Sequence, residues 1–144
     1  MTTEENKTCA RKIPEELFNQ GKLAIADEVI AADYVEHVST PGFPGGIAGL
    51  KLFVTALRAA FPDFHDTVDE EIAEGDKVVQ RVTAHGTMQG AFAGMPPSGK
   101  HATWTEIHIS RLAGGKLVEH WANIDQLGML QQLGMIPTPG QAGP

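Results

Sequence analysis

The most constraining feature of this sequence is a change of hydrophobic period near residue 64. After that point, apolar and polar residues alternate in Val- and Thr-rich stretches that are separated by Gly-containing turns. Such alternation predicts β-strands. We expect strands over 64–73, 77–88, 101–112 and 117–124, with tight turns at 74–76 and 113–115.

The residues before this point have helical spacing instead. Residues 4–20 predict a helix that contains Pro14, where we expect a kink or a break. Residues 23–30 and 50–61 predict two further helices, and a last short helix is expected over 126–133. Asp125 is a suitable N-cap for this last helix, and Gly134 is suited to end it.

Helices followed by long antiparallel strands predict an α+β domain. Glycines within and between the long strands favour a strongly curved sheet. We therefore expect a cone-shaped, mixed or antiparallel curved sheet with the N-terminal helices packed on its concave face, enclosing one pocket. Residues 1–136 are expected to form this single domain, and 137–144 a flexible C-terminal tail.

Composition narrows the possible partners and compartments. The formal net charge of −7 argues against binding to nucleic acid or to an anionic membrane surface. The polar, acidic start over 1–7 shows no secretory leader, so we expect a cytoplasmic protein. Cys9 is the only cysteine, which excludes an intramolecular disulfide. An apolar small molecule in the pocket is the expected ligand.

The strand over 101–112 carries the most informative alternation. One face is expected to bear Trp104, Glu106 and His108, and the other face the apolar residues Ile107 and Ile109. The mixed face is either solvated or the lining of a partly apolar pocket. A large indole ring favours the pocket, because it would be poorly placed in water. The strand over 117–124 places His120 and Ala122 on one face in the same way.

Other polar groups give weaker signals. The segment 33–37 combines Glu36 and His37 with an aspartate and a tyrosine, and it becomes relevant if it folds over the pocket. The six histidines have no metal-site spacing, and neither a phosphate-binding loop nor a nucleophile elbow is present. We therefore expect no metal and no cofactor.

The chain resembles the SnoaL-like polyketide cyclase, or ester cyclase, family of the nuclear-transport-factor-like and ketosteroid-isomerase-like superfamily. The resemblance runs from about residue 12 to residue 134. It rests on matching stretches at 18–21 (FNQG), 33–37 (DYVEH), 59–63 (AAFPD), 73–76 (AEGD), 94–97 (GMPP), 115–121 (GKLVEHW) and 125–134 (DQLGMLQQLG). The resemblance implies a deep apolar pocket without metal or organic cofactor, and a homodimer or possibly a tetramer.

The family's cyclases close a ring by intramolecular aldol condensation, with an aspartate that takes a proton from carbon. The resemblance places their histidine at His108, their glutamine at Glu106 and their asparagine at Glu36. Another family histidine falls on His120, and the aspartate base falls on Ala122, which cannot take a proton. The cyclisation mechanism therefore does not carry over unchanged.

We predict a small-molecule enzyme acting on an apolar carbonyl- or epoxide-bearing substrate by cyclisation, isomerisation or hydrolysis. The expected base is Glu106 or Asp125, with His108 as its partner or as an oxyanion donor. Asp125 has a second possible role as a helix cap. Residues expected to bind the ligand are Glu36, His37, Phe53, Phe92, Met95, Trp104, His120 and Ala122.

Two other interpretations remain at this point. One is a non-catalytic protein that uses the same pocket to bind a hydrophobic ligand, which the alanine at position 122 favours. The other is a scaffold that acts only through its dimer face, for which the side of the last strand that bears Trp121 is the candidate. Fold analogy alone does not separate these functions.

Overall fold

Five strands form one curved sheet. The computed structural model describes residues 1–38, 40–137 and 140. The strands are Ile30–Glu36 (β1), His65–Glu74 (β2), Lys77–Thr87 (β3), His101–Ala113 (β4) and Lys116–Ile124 (β5). Their order is β1-β5-β4-β3-β2, and all neighbours are antiparallel except the parallel pair β1 and β5. The α+β fold is confirmed, and each of the four predicted strands lies within one residue of its expected ends.

Three irregularities interrupt the strand register. They lie between Ile30 and Val35 of β1 against β5, between Val68 and Glu70 of β2 against β3, and between Arg111 and Leu112 of β4 against β5. An extra residue at such a bulge bends the strand and increases its twist. The sheet thereby curves around the helices that cover one of its faces.

The helices are Thr3–Lys12 (α1), Ala24–Val29 (α2), Gly46–Ala60 (α3) and Gln126–Gln132 (α4). At Pro14 the helix does not break; it continues from α1 into a π-helical turn over Ile13–Phe18. The wider turn accommodates a residue that has no N–H to donate. Helix α3 starts four residues earlier than predicted. Its first turn packs so closely that a Cβ at Gly49 would overlap the carbonyl oxygen of Pro44.

No helix among the described residues combines the length and the apolar character that a membrane span requires. Within the tail predicted for 137–144, residues 138, 139 and 141–144 lie outside the described residues.

Strand β1 was not predicted. The sequence predicts no strand over 33–37, because its polar residues follow the second helix without a strand-like apolar run. In the structure this segment adds to the sheet edge beside β5, where Glu36 is in register with His120. Pairing with a distant strand therefore decides the conformation of this segment, which its own composition does not specify.

Two apolar clusters lie under the helices at opposite ends of the covered sheet face. The first lies at Leu112 of β4, where α1 and α2 pack, and the second lies at Trp104, where α3 and α4 pack. Between them, β4 presents Glu106, His108 and Ser110 to the same face. A band of polar side chains therefore separates two apolar cores.

Asp125 caps α4, which packs against the second core through Met129 and Leu133. Its Oδ1 accepts the backbone N–H of Gly128 at 2.9 Å, and the residue is exposed. We expect Asp125→Ala to lower the free energy of unfolding by about 0.5–2 kcal/mol in urea denaturation, because this N–H loses its acceptor. Asp125→Asn is the control that keeps an acceptor. An Ala variant as stable as the wild type would contradict the capping role.

Candidate functional site

Four ionisable side chains on the covered sheet face form a continuous hydrogen-bonded chain. His108 Nε2 lies 2.7 Å from Oε1 of Glu106, and His108 Nδ1 lies 2.9 Å from Nε2 of His120. His120 Nδ1 then lies 2.7 Å from Oε1 of Glu36. We call this set the tetrad: Glu36, His120, His108 and Glu106.

Strand register explains why these side chains meet. Glu106 and His108 are two residues apart on β4, so they leave the same face of the sheet. His120 extends from β5 on that face, and Glu36 is its direct partner on β1. The tetrad therefore depends on three strands that are distant in sequence.

The hydrogen bonds of the tetrad fix its number of protons. Each of the three links joins two atoms that can both accept, so each link needs one proton and the tetrad holds three. Two carboxylates and two imidazolates without any proton would carry a charge of −4, and three protons bring this to −1. Removal of one of these protons would set two lone pairs against each other across a link.

Glu36, at one end of the tetrad, makes further contacts. Its Oε1 also accepts the backbone N–H of Val38 at 3.0 Å, and His120 Nδ1 lies 3.0 Å from its Oε2. The neighbouring Tyr34 is coupled to this end of the tetrad: burial raises the pKa of its phenol to about 12, and the charge of Glu36 and a hydrogen bond to it add to the rise.

The other end of the tetrad touches the second apolar core. Oε2 of Glu106 accepts the indole N–H of Trp104 at 2.7 Å. The Trp104 ring is buried and lies 6.2 Å, between ring centroids, from each of Phe61 and Phe64. Glu106 thus stands at the boundary between the polar band and an aromatic cluster.

The tetrad is only partly covered. The exposed fraction of the side chain is 11% for Glu106 and 26% for Glu36, and the two imidazoles lie between these values. A ligand can therefore contact the tetrad without unfolding the sheet. Of the two tetrad carboxylates, Glu106, which lies beside the aromatic cluster, is the less exposed.

The other residues predicted to shape the pocket pack together near Trp104. Phe53 and Phe92 lie 5.9 Å apart between ring centroids, and Met95 packs against the same core. All three are half-buried. Two surface clefts of the described residues, of about 340 and 440 Å³, lie instead along α1 near Met1. Neither of these two clefts is lined by a residue of the tetrad or by Phe53, Phe92 or Met95.

The placement of His37 requires a correction. We grouped His37 with the pocket residues, but it lies on the opposite face of the sheet from the tetrad, one position beyond Glu36 in the strand alternation. There it contacts Oε2 of Glu119 at 2.7 Å and stacks on Trp121 at a centroid distance of 4.9 Å. Its hydrogen bond, together with that of Arg111, holds the pKa of the Glu119 carboxyl below its usual value.

Two other predicted residues are close to the tetrad or to its edge. Ala122 is the direct cross-strand partner of His108 and lies on the tetrad's face, as expected from the alternation of β5. Asp125 follows β5 and uses its carboxylate as the α4 cap. Of its two predicted roles, the geometry supports capping.

Asp66 is an ionisable residue of this face that the sequence analysis missed. Asp66 on β2 is 7% exposed, and its Oδ1 has no hydrogen-bond partner among the described residues. Burial raises the pKa of its carboxyl to about 8, and the charge of Glu106 adds to the rise. The alternation of Phe64, Asp66 and Val68 was the available signal, since it places the aspartate on the apolar face of the strand.

This shift predicts a pH-dependent stability. The folded protein holds the Asp66 proton more tightly than the unfolded chain between the ordinary pKa of 3.8 and the folded value of about 8. The stabilisation that this proton gives to the folded state is complete below pH 3.8. It is lost as the pH rises through the folded pKa of about 8, at up to about 1.4 kcal/mol per pH unit. We expect the unfolding free energy of the wild type, relative to Asp66→Asn, to fall over this range in urea denaturation. Parallel pH profiles of the two proteins would contradict the assignment.

Comparison with known proteins agrees with this architecture. The family model of SnoaL-like polyketide cyclases matches residues 8–133. A nogalonic acid methyl ester cyclase of Streptomyces nogalater is 30% identical over 128 residues, covering 88% of this chain and 95% of that protein. An aklanonic acid methyl ester cyclase of Streptomyces peucetius is 30% identical over 128 residues, covering 86% and 88%. The structure of TsrD from Streptomyces laurentii superposes with a TM-score of 0.85 at 26% identity, covering 94% and 99%. The chain belongs to the SnoaL-like polyketide cyclase family.

Proposed function

We propose that this protein is an enzyme that removes a proton from a carbon next to a carbonyl group of an apolar small molecule, with Glu106 as the general base. The observation that carries the proposal is the tetrad, which ends in a carboxylate against an aromatic cluster. A carboxylate in such surroundings, positioned by fixed hydrogen bonds, is suited to general base catalysis. Ring closure follows when the resulting enolate attacks a second carbonyl of the same molecule.

Glu106 is preferred over His108 as the base because of the hydrogen bonds each one makes. Both ring nitrogens of His108 are engaged, one by Glu106 and one by His120. Each carboxyl oxygen of Glu106 has one protein partner and keeps further capacity to accept a proton. His108 then acts as a positioning residue that holds the carboxylate in place.

The proposed substrate class rests on the apolar residues beside Glu106. Phe53, Phe92 and Met95 are half-buried and pack against the same core as Trp104, so they supply apolar surface next to the residue that donates to Glu106. The names of two similar proteins state that they cyclise nogalonic acid methyl ester and aklanonic acid methyl ester. We propose a related polycarbonyl ester as the substrate.

The alanine at position 122 supports a base that has moved along the sheet face. The resemblance places the base of the family's cyclases at Ala122, and Ala122 lies directly across from His108. Glu106 lies two residues from His108 on β4, on the same face of the sheet. A carboxylate at either position would therefore lie beside the same imidazole.

Glu106→Gln is the direct test of the base. Its amide oxygen can accept the Trp104 N–H while its NH₂ donates to His108, so every link can be kept with both imidazoles neutral. We expect the variant to fold and to bind apolar carbonyl compounds, but to lose about 10²–10⁴-fold in rate. The measurement is α-proton exchange of ethyl acetoacetate in D₂O by NMR, with cyclisation of nogalonic acid methyl ester followed by absorbance.

Glu70→Gln is the matched control, because Glu70 is an exposed carboxylate on the same sheet with an ion pair to Arg81. It should leave both rates unchanged. An aliphatic epoxide is assayed in parallel to detect hydrolysis as the alternative reaction. Binding of the esters without turnover of any compound by the wild type would favour a ligand-binding protein and overturn the proposal.

A second variant tests whether the base position can be exchanged. We expect Ala122→Asp in the Glu106→Gln background to recover exchange on the order of tenfold, because it returns a carboxylate to the side of His108. Ala122→Asn in the same background has nearly the same shape and no basic carboxylate, so it should recover nothing. Equal rates for the Asp and Asn double variants would count against a base acting beside His108.

A further inference from the structure

Asp66 is a buried carboxyl group that the tetrad does not use. Its residue surface is 7% exposed, and its Oδ1 is enclosed without a hydrogen-bond partner among the described residues. An unpartnered buried carboxylate would be strongly destabilising, whereas the protonated acid is far cheaper to bury. The geometry therefore favours the neutral acid in the folded protein.

The strand register places Asp66 near Glu106. Asp66 is in register with Ala84 on β3, and Ala84 is in register with Trp104 on β4, so the three share the covered face in one row. Glu106 lies two residues beyond Trp104 on β4 and on the same face, in the cross-strand row that contains Val82. Burial raises the pKa of the Asp66 carboxyl, and the charge of Glu106 adds to the rise, so the two groups lie within electrostatic reach of each other.

The backbone at Asp66 is held in place from the helical layer. The side chain of Asn19 donates to the Asp66 carbonyl at 2.8 Å and accepts the Asp66 N–H at 2.7 Å. Arg58 of α3 donates to the carbonyl of Asn19 at 2.9 Å and so fixes that contact. These bonds position the aspartate backbone but do not involve its side chain, whose Oδ1 has no partner among the described residues.

We infer that Asp66 is the proton donor of the site, a neutral carboxylic acid that protonates the oxygen of the carbonyl under attack while the Glu106 carboxylate takes the proton from carbon. This inference rests on the proposed function, and it assigns the acid of the same reaction. Two carboxyl groups with different surroundings, one hydrogen-bonded at both oxygens and one buried with its Oδ1 unpartnered among the described residues, are suited to opposite roles.

The reaction balances with these two groups. Glu106 accepts the proton as the C–H bond breaks, and the electron pair forms the new C–C bond to the second carbonyl. The C=O bond of that carbonyl opens, and its oxygen takes the proton of Asp66. At the end Glu106 is protonated and Asp66 is ionised, and one proton passed from Glu106 to Asp66 restores both groups. Ring closure is an isomerisation, so no other reactant is needed.

The first experiment tests the protonation state without any substrate. Infrared difference spectra of the wild type and Asp66→Asn at neutral pH should show the C=O stretch of a protonated carboxylic acid in the wild type alone. Asp69→Asn is the control, because Asp69 lies on the same strand, is exposed and pairs with Arg81. It should leave this band unchanged. A missing wild-type band, or one that persists in Asp66→Asn, would overturn the inference.

The second experiment separates the acid from the base. Exchange of the α-proton of ethyl acetoacetate needs a base, whereas closure of nogalonic acid methyl ester also needs a proton for the new hydroxyl group. We expect Asp66→Asn to keep exchange within a few-fold and to lose about 10²–10⁴-fold in ring closure, since an amide can donate a hydrogen bond but not transfer the proton. Glu106→Gln should lose both activities.

The outcomes distinguish this inference from the proposed function. Ring closure by Asp66→Asn at the wild-type rate overturns the donor role and leaves Glu106 as the base. If the wild type shows neither exchange nor closure, the proposed function fails, and the donor role fails with it even where the infrared band is present. Loss of exchange and closure to the same extent in Asp66→Asn also contradicts a separate acid role.

Discussion

The structure depends on satisfying a band of ionisable side chains on the sheet face that the helices cover. Burial of such groups is unfavourable unless each is paired or hydrogen-bonded. The tetrad meets this requirement by linking its carboxylates and imidazoles in one chain, in which every link holds one proton. Glu36 is the last member of this hydrogen-bonded series, and it lies on β1. The parallel pairing of β1 with β5 is therefore needed to complete the tetrad.

Alternation along single strands was enough to predict half of this arrangement. It placed Trp104, Glu106 and His108 on one face of β4, and it placed His120 with Ala122 on β5. Side-chain direction in a strand has a period of two residues, so a strand that is located correctly also gives its faces correctly. The helix cap at Asp125 was predicted for a similar reason, since capping is decided by neighbouring residues.

The features that sequence reasoning missed depend on contacts between distant segments. The segment that forms β1 has little strand-like pattern of its own, and its conformation comes from pairing with β5. The opposite orientations of Glu36 and His37 follow only once this strand exists. The tetrad's order also required cross-strand register, because no sequence pattern shows which imidazole meets which carboxylate. Asp66 is different. The strand alternation shows which face it occupies, but the missing hydrogen-bond partner of its Oδ1 among the described residues is a property of the packed structure.

The small side chain at position 122 and the pairing of the two imidazoles are physically connected. Ala122 is the direct cross-strand partner of His108, at a spacing where two facing side chains interact. An aspartate there would compete for the Nδ1 of His108, the atom that now faces His120. With alanine, the imidazole is free to link to His120 and through it to Glu36. A carboxylate at position 106 leaves that link intact, because Glu106 contacts the other ring nitrogen of His108, Nε2.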